Sequence, residues 1–218
     1  MNTLKLLFKD DLSVSKAPYI ETLIKGTIIG FILYMALEIS NFVTKSAWYG
    51  LLSLLVIIFG IWLCQKLGLT FFKSRKYTVK DFLFVFGGYI LLKVLDLLFA
   101  MFLSSAVPVN DQNIKDAFTG TPTWLLVISL AIVPALVEEL LFRGLILRVL
   151  FRNHLFIGLI VSSILFASLH ASENFIGYLP YFYFGMILGL VYLKTRKIEL
   201  AIAIHLLNNG LIALFLYM

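Results

Sequence analysis

The stretch WLLVISLAIVPALVEELLFRGLIL, residues 124–147, decides the class of the fold. As an α-helix it is about 36 Å long, enough to cross a hydrocarbon core of about 30 Å. Yet it carries Glu138, Glu139 and Arg143. At mid-membrane each costs roughly 3 kcal/mol unless it finds a partner, a cavity or a task. Glu139 and Arg143 are four residues apart and share a helix face, so they can pair. Glu138 is turned about 100° away from that face and is left to meet a group on another helix. Pro134 has no N–H and frees the carbonyl of Leu130, four residues earlier. Inside a membrane such a break is tolerated where it lines a cavity or a protein interior.

The same apolar pattern recurs on both sides. Spans are predicted at 23–43, 47–65, 82–104, 124–147, 155–172, 175–193 and 199–217, of which the fifth is short. Composition agrees. The chain of 218 residues is 61% hydrophobic and 14% charged, where soluble domains are about 45–50% apolar and about 25% charged. The expected fold is all-α: a polytopic transmembrane bundle of about seven spans, one domain over residues 1–218 with the chemistry in 124–217.

The loops test the count. Lys5, Lys9 and Lys16 precede the first span, and Lys66, Lys73, Arg75, Lys76 and Lys80 follow the second. Arg148 and Arg152 follow the fourth, and Lys194, Arg196 and Lys197 follow the sixth. The alternate loops hold only Lys45 and Lys115. By the positive-inside rule this places the N-terminus in the cytoplasm and the C-terminus outside. The net charge of +6 is thereby a matter of topology, and no nucleic-acid partner is expected. The long outer loop, about 105–123, holds Pro108, Asn110, Asp111, Gly120 and Pro122, which are turn residues. No cleavable signal is visible, so the first span is expected to stay. Short loops without organelle signals fit a bacterial plasma membrane. Cys64 is the one cysteine, which rules out an internal disulfide and a CxxC metal motif.

The aromatics, 20 Phe and 10 Tyr, read as packing and an interfacial belt; Tyr178, Tyr181 and Tyr183 are placed in that belt. Gly185 and Gly189 form a small-xxx-small pair that lets helices approach. Lys93 and Asp96 can pair on the third span, Lys25 can snorkel, and Glu38 has no evident partner. Ser162, Ser163 and Ser168 are expected to bond their own backbone rather than act as nucleophiles.

The polar residues that remain lie on three spans: Glu138, then His170 at the end of the fifth, then His205 and Asn209, four apart on one face of the seventh. Peptide hydrolysis needs an activated water, a base and donors for the oxyanion. Glu138 suits the base, His170 a holder of the water, and His205 with Asn209 the donors. A carboxylate and two histidines also fit a Zn²⁺ site with Glu138, His170 and His205 as ligands, although no HExxH is present. Counted along the helices at 1.5 Å per residue, Glu138 lies about 15 Å deep, Asn209 about 16 Å and His170 about 24 Å. Helix tilt or a later start of the fifth span would have to close that gap.

Glu138-Glu139-xxx-Arg143, Phe166-xxx-His170 and His205-xxx-Asn209 resemble, in order and placement, the three motifs of the CAAX-protease and bacteriocin-processing family. These intramembrane proteases are also called type II CAAX prenyl endopeptidases or the Abi family. The resemblance covers roughly 124–217. It implies that Glu138 activates water with His170, that His205 and Asn209 form the oxyanion hole, and that Glu139 and Arg143 support the helix. It implies a membrane-associated peptide or protein as substrate, with peptide processing or bacteriocin self-immunity as roles. The family is commonly described as metalloproteases, so a divalent metal and a water held by side chains alone both stay open. The competing classes are a non-catalytic scaffold or immunity factor of the same fold and a small proton-coupled transporter. Glu138→Gln separates them: a scaffold tolerates it.

Overall fold

The computed structural model describes residues 6–72, 76–102 and 109–215. Lys5, Lys73, Arg75, Pro108 and the far ends of the third and seventh predicted spans (Leu103, Ser104, Leu216, Tyr217) lie outside them. No strand occurs among the described residues. Each predicted span corresponds to a helix: α1 Tyr19–Ser40, α2 Trp48–Lys66, α3 Val79–Phe102, α5 Thr123–Leu150, α6 Leu155–Ser168, α7 Leu179–Thr195 and α8 Ile198–Phe215. Short 3-10 turns extend α1 through Thr44 and lead into α7 from Ile176. Five of these are long and apolar enough to cross a membrane, and α6 and α8 are shorter. The 14 residues of α6 reach only about 21 Å.

The outer loop differs from its expected form. It contains a helix, α4, Val109–Ala117. Its first turn carries Asn110 and Asp111, residue types favoured where a helix leaves its N–H groups unpaired, and Lys115 sits in the last turn, where a cation suits the helix dipole. The Gln112 amide donates to Asp116 Oδ1 at 2.9 Å along it. Gly120 and Pro122 remain turn residues, Gly120 with φ of +80°.

α5 is the hub, packed against α1, α6 and α8. It is one rod of four pieces: an α turn at Thr123–Leu126, a π segment Val127–Ile132, an α segment Val133–Glu139 and a second π segment Leu140–Leu150. π segments are wider than α-helix and often mark functional sites. α6 and α7 pack closely because Gly185 and Gly189 leave room. A Cβ at Gly185 would stand 3.0 Å from the Ser163 Cα, and one at Gly189 would stand 2.3 Å from Leu159 Cδ1.

Among the described residues, the basic side chains expected on one side lie at one end of the bundle. There Tyr19 donates to the Leu150 carbonyl, and Lys197 reaches the Lys76 carbonyl and Asp81. The N-terminal segment straps that end. Arg148 Nη2 donates to Asp10 at 3.2 Å and Asp11 at 2.5 Å, and Arg152 donates to the Ala17 carbonyl. Arg196 closes α7 in the left-handed region, φ 56°, and donates to the Leu7 and Lys9 carbonyls. The remaining isolated charges also have company. Lys25 pairs with Glu21 at 2.5 Å, one turn away. Glu38 shares a face of α1 with Tyr34, four residues earlier.

Candidate active site

The site grows from α5. Glu139 is fully buried, and its Oε1 accepts from Arg143 Nη1 at 3.0 Å, as the four-residue spacing requires. The same oxygen also meets His205 Nδ1 at 2.9 Å. Arg143, equally buried, donates its Nη2 to the Gly185 carbonyl at 3.0 Å and lies over the Phe166 ring at 4.8 Å. The pair therefore binds α5 to α7 and α8 at once. Arg143 offsets the charge of Glu139 through Oε1, while its Oε2 is buried with no hydrogen-bond partner among the described residues.

Glu138 is held differently. Its Oε2 is buried and accepts no hydrogen bond among the described residues. It stands 3.8 Å from His205 Nε2. That is too long for a hydrogen bond, and a water bonded to both atoms would span it. Glu139 fixes the orientation of His205: with a proton on Nδ1 directed at Glu139, Nε2 is turned to Glu138. So the group expected from another helix is His205.

His170 takes another route into the site. Among the described residues, no ion-pair contact of 4 Å or less joins it to Glu138. α6 starts at Leu155, as read from the sequence, and ends at Ser168, so His170 lies just past its C-terminus. Its Nδ1 donates to the Phe166 carbonyl at 2.9 Å. A carbonyl only accepts, so the proton sits on Nδ1, and neutral His170 has a bare Nε2. The bond draws the ring back toward Phe166, one turn earlier. Phe166 packs on His170, His205, Phe142 and Phe184, so both imidazoles flank one buried ring.

Asn209 completes the set. Its Nδ2 donates to the Leu130 carbonyl at 3.1 Å, the acceptor that Pro134 leaves without its helical N–H. One amide hydrogen is used there, and the second is available to a ligand.

The sequence did not show the contacts of three residues. Tyr181 stacks on His170, with centroids 4.0 Å apart and planes at 16°. The Tyr183 hydroxyl donates to Asp96 Oδ1 at 2.6 Å. Asn208 bridges Lys93 and Asn209. A tyrosine within four residues of small glycines on a helix facing Asp96 was the available signal. The serines behave as expected: Ser162 and Ser163 donate to the Leu159 carbonyl, and Ser168 to that of Leu165.

Among the described residues, no three of His, Cys, Asp and Glu are grouped so as to hold a metal ion. Each histidine engages its Nδ1 and leaves Nε2 free, as metal-bound imidazoles do, but His170 is drawn toward Phe166 and is not grouped with Glu138 and His205. As placed, the trio does not fit a three-ligand centre, and the chemistry below uses side chains alone.

Residues 120–211 match the model of the family described as type II CAAX prenyl endopeptidase Rce1-like. The matched segment is less than half of the chain, and over it the chain is similar to this family. The match spans α5 to α8, all the helices that build the site. Three bacterial relatives are similar. The "UPF0177 protein YbdI" of Lactococcus lactis is 23% identical over 77% of this chain and 94% of its own. The "Putative membrane peptidase YdiL" of Bacillus subtilis is 33% identical over 48% of this chain and 42% of its own. The "Membrane-embedded CAAX protease MroQ" of Staphylococcus aureus is 32% identical over 50% of this chain and 45% of its own. The chain thus aligns with less than half the length of the latter two. No solved structure matches. The chain is a multi-pass membrane protein, and its residues 120–211 are similar to a family of membrane proteases.

Proposed function

We propose that the chain is an intramembrane endopeptidase in which Glu138 is the general base toward a membrane-associated peptide or protein. The observation that carries this is the contrast between adjacent carboxylates. Each leaves its Oε2 buried and unpartnered, but Glu139 is bonded through Oε1 to Arg143 and His205, while Glu138 makes no hydrogen bond among the described residues and stands 3.8 Å from an oriented imidazole. An unsatisfied buried carboxylate is costly, which supports a role completed by water and substrate.

The reaction runs as follows. With His205 protonated on both nitrogens, its Nε2–H donates to a water that gives one hydrogen bond to Glu138 and the other to the bare Nε2 of His170. The water oxygen attacks the scissile carbonyl carbon as Glu138 takes its proton. The developing oxyanion takes the free Asn209 amide hydrogen and, when His205 is protonated, its Nε2–H. The tetrahedral species collapses, the C–N bond breaks, and Glu138 returns its proton to the leaving amine. Glu139 and Arg143 do no proton transfer; they fix His205 and the helix. The biological role, peptide processing or bacteriocin self-immunity, follows from the substrate.

The test compares peptide termini in bacterial membranes bearing the wild-type chain or Glu138→Gln, read by mass spectrometry. Termini found only with the wild type are expected; identical sets in both would turn the reading to a scaffold. Cleavage that persists after chelation fits water held by side chains. Activity lost on chelation and restored by Zn²⁺ would replace that water with a metal-held one.

A further inference from the structure

The third span carries a second intramembrane ion pair, which the reaction above does not use. Lys93 Nζ lies 2.8 Å from Asp96 Oδ2, and Asp96 Oδ1 accepts from the Tyr183 hydroxyl at 2.6 Å. Lys93 also donates to Asn208 Oδ1 at 2.7 Å and lies over the Tyr89 ring at 5.6 Å. Asn208 Nδ2 donates to Asn209 Oδ1 at 3.2 Å, and Asn209 Nδ2 donates to the Leu130 carbonyl at 3.1 Å. One relay therefore runs from α3 through α8 to the break in α5.

The two ends of this relay are chemically fixed. An ammonium only donates, so the atom of Asn208 facing Lys93 has to be its oxygen. The NH₂ of Asn208 then faces Asn209, which has to present its oxygen there. The Asn209 NH₂ is left on the side of Leu130, whose carbonyl only accepts. Turning over either amide sets donor against donor or acceptor against acceptor. Side-chain amides can otherwise turn over at little cost, and here both directions are set from outside.

We propose that Lys93, held by Asp96, is a positioning residue for the Asn209 amide: through Asn208 it decides that Asn209 presents N–H rather than C=O to the site. The inference rests on Asn209 being the oxyanion donor. It also explains why a lysine and an aspartate stand far inside an apolar helix, where they need a partner or a task. Lys93 touches no reacting atom, and the Leu130 carbonyl still favours the working orientation without it. Its loss is therefore expected to weaken turnover, not abolish it.

The experiment uses the full chain in detergent micelles, labelled with ¹⁵N-asparagine. The Asn209 side-chain amide signal is identified by its disappearance in Asn209→Ala. The principal variant is Lys93→Met with Asp96→Asn, which leaves no unpaired charge in the helix. A second variant, Asn208→Ala, keeps the ion pair and cuts the relay. Both are expected to speed proton exchange of the Asn209 amide or split its signal, and Lys93→Arg is expected to restore it. In parallel, kcat and KM are measured on a quenched fluorescent peptide built on a terminus that separates wild type from Glu138→Gln. An approximately tenfold fall in kcat at constant KM is expected for both variants. Unchanged Asn209 signals in both would overturn the coupling itself, whatever the activity. Shifted signals with unchanged kcat would keep the coupling, but overturn the role of Asn209 in the reaction and with it the positioning role of Lys93.

Discussion

α3 and α5 are about equally apolar, yet 11% of the most apolar window of α3 is buried against 56% of that of α5. Each carries an ion pair within one turn. Glu139 and Arg143 on α5 are 0–1% exposed, whereas Lys93 and Asp96 on α3 are 41% and 36% exposed. Hydropathy cannot tell these helices apart, because lipid and protein interior are equally good solvents for leucine. The partners of the charges can. The α5 pair holds three helices together through Gly185 and His205. The α3 pair lies at the edge of the bundle and reaches inward only through Tyr183 and Asn208.

The comparison is broken most severely by removing one member of the buried pair. Arg143→Leu leaves Glu139 buried with only His205 as partner, and an expected loss of about 3–5 kcal/mol should show in thermal unfolding in detergent. Arg143→Leu with Glu139→Gln should recover much of it, since the uncompensated charge is gone. Equal losses in the single and double variants would mean that Arg143 acts by packing on Phe166 rather than by charge. Next in size is Gly189→Leu, which drives a side chain into Leu159 and separates α6 from α7. An expected cost of about 1–3 kcal/mol should fall on the His170 side of the site, where Tyr181 and His170 are stacked.

What could be read from the sequence follows the same division. Helix count, the Glu139–Arg143 spacing and the carbonyl freed by Pro134 are local consequences of 3.6 residues per turn, and each is found where the sequence placed it. The contacts that were missed run between helices. Spacing cannot show that His205 turns both nitrogens toward α5, because that depends on how α8 is rotated. Nor can it show that His170 bends back on Phe166, because the end of α6 is set by tertiary packing. Tyr181 and Tyr183 have the composition of a membrane belt, and only the approach of α7 to α3 and α6 assigns them to polar partners. Asn208 and Asn209 are adjacent in sequence. The register of α8 gives the first to Lys93 and the second to Leu130.

The edge pair sets the next effect. Lys93→Met with Asp96→Asn should change stability by no more than about 1 kcal/mol, because the pair is more than a third exposed. A loss as large as that of Arg143→Leu would erase the distinction between the two helices. Smaller still should be Ser162→Ala and Ser163→Ala. Both hydroxyls bond their own helix, so the change is expected to stay within about 0.5 kcal/mol with no effect on cleavage; loss of cleavage would bring a serine into the chemistry.

A small effect of a different kind is expected outside the bilayer, where Asp11 straps the N-terminal segment to Arg148. Burial works against ionisation of Asp11, but hydrogen bonds from Ser13 and the Arg148 guanidinium outweigh it and hold the carboxyl below the usual range. A carboxyl whose pKa is lower folded than unfolded stabilises the fold above its unfolded pKa, and that contribution fades as pH falls toward the folded value. The strap should therefore be intact at pH 5 and above and loosen below about pH 4. Exchange of the Ser13 amide hydrogen, which bonds Asp11 Oδ1 at 3.1 Å, reports on it directly. Asp11→Asn should remove that pH dependence and cost at most about 1 kcal/mol, because the carboxylate is 42% exposed. If the amide stays equally protected at pH 3 and pH 5, Arg148 holds the segment through buried Asp10 alone, and the strap belongs to the interior like the pair on α5.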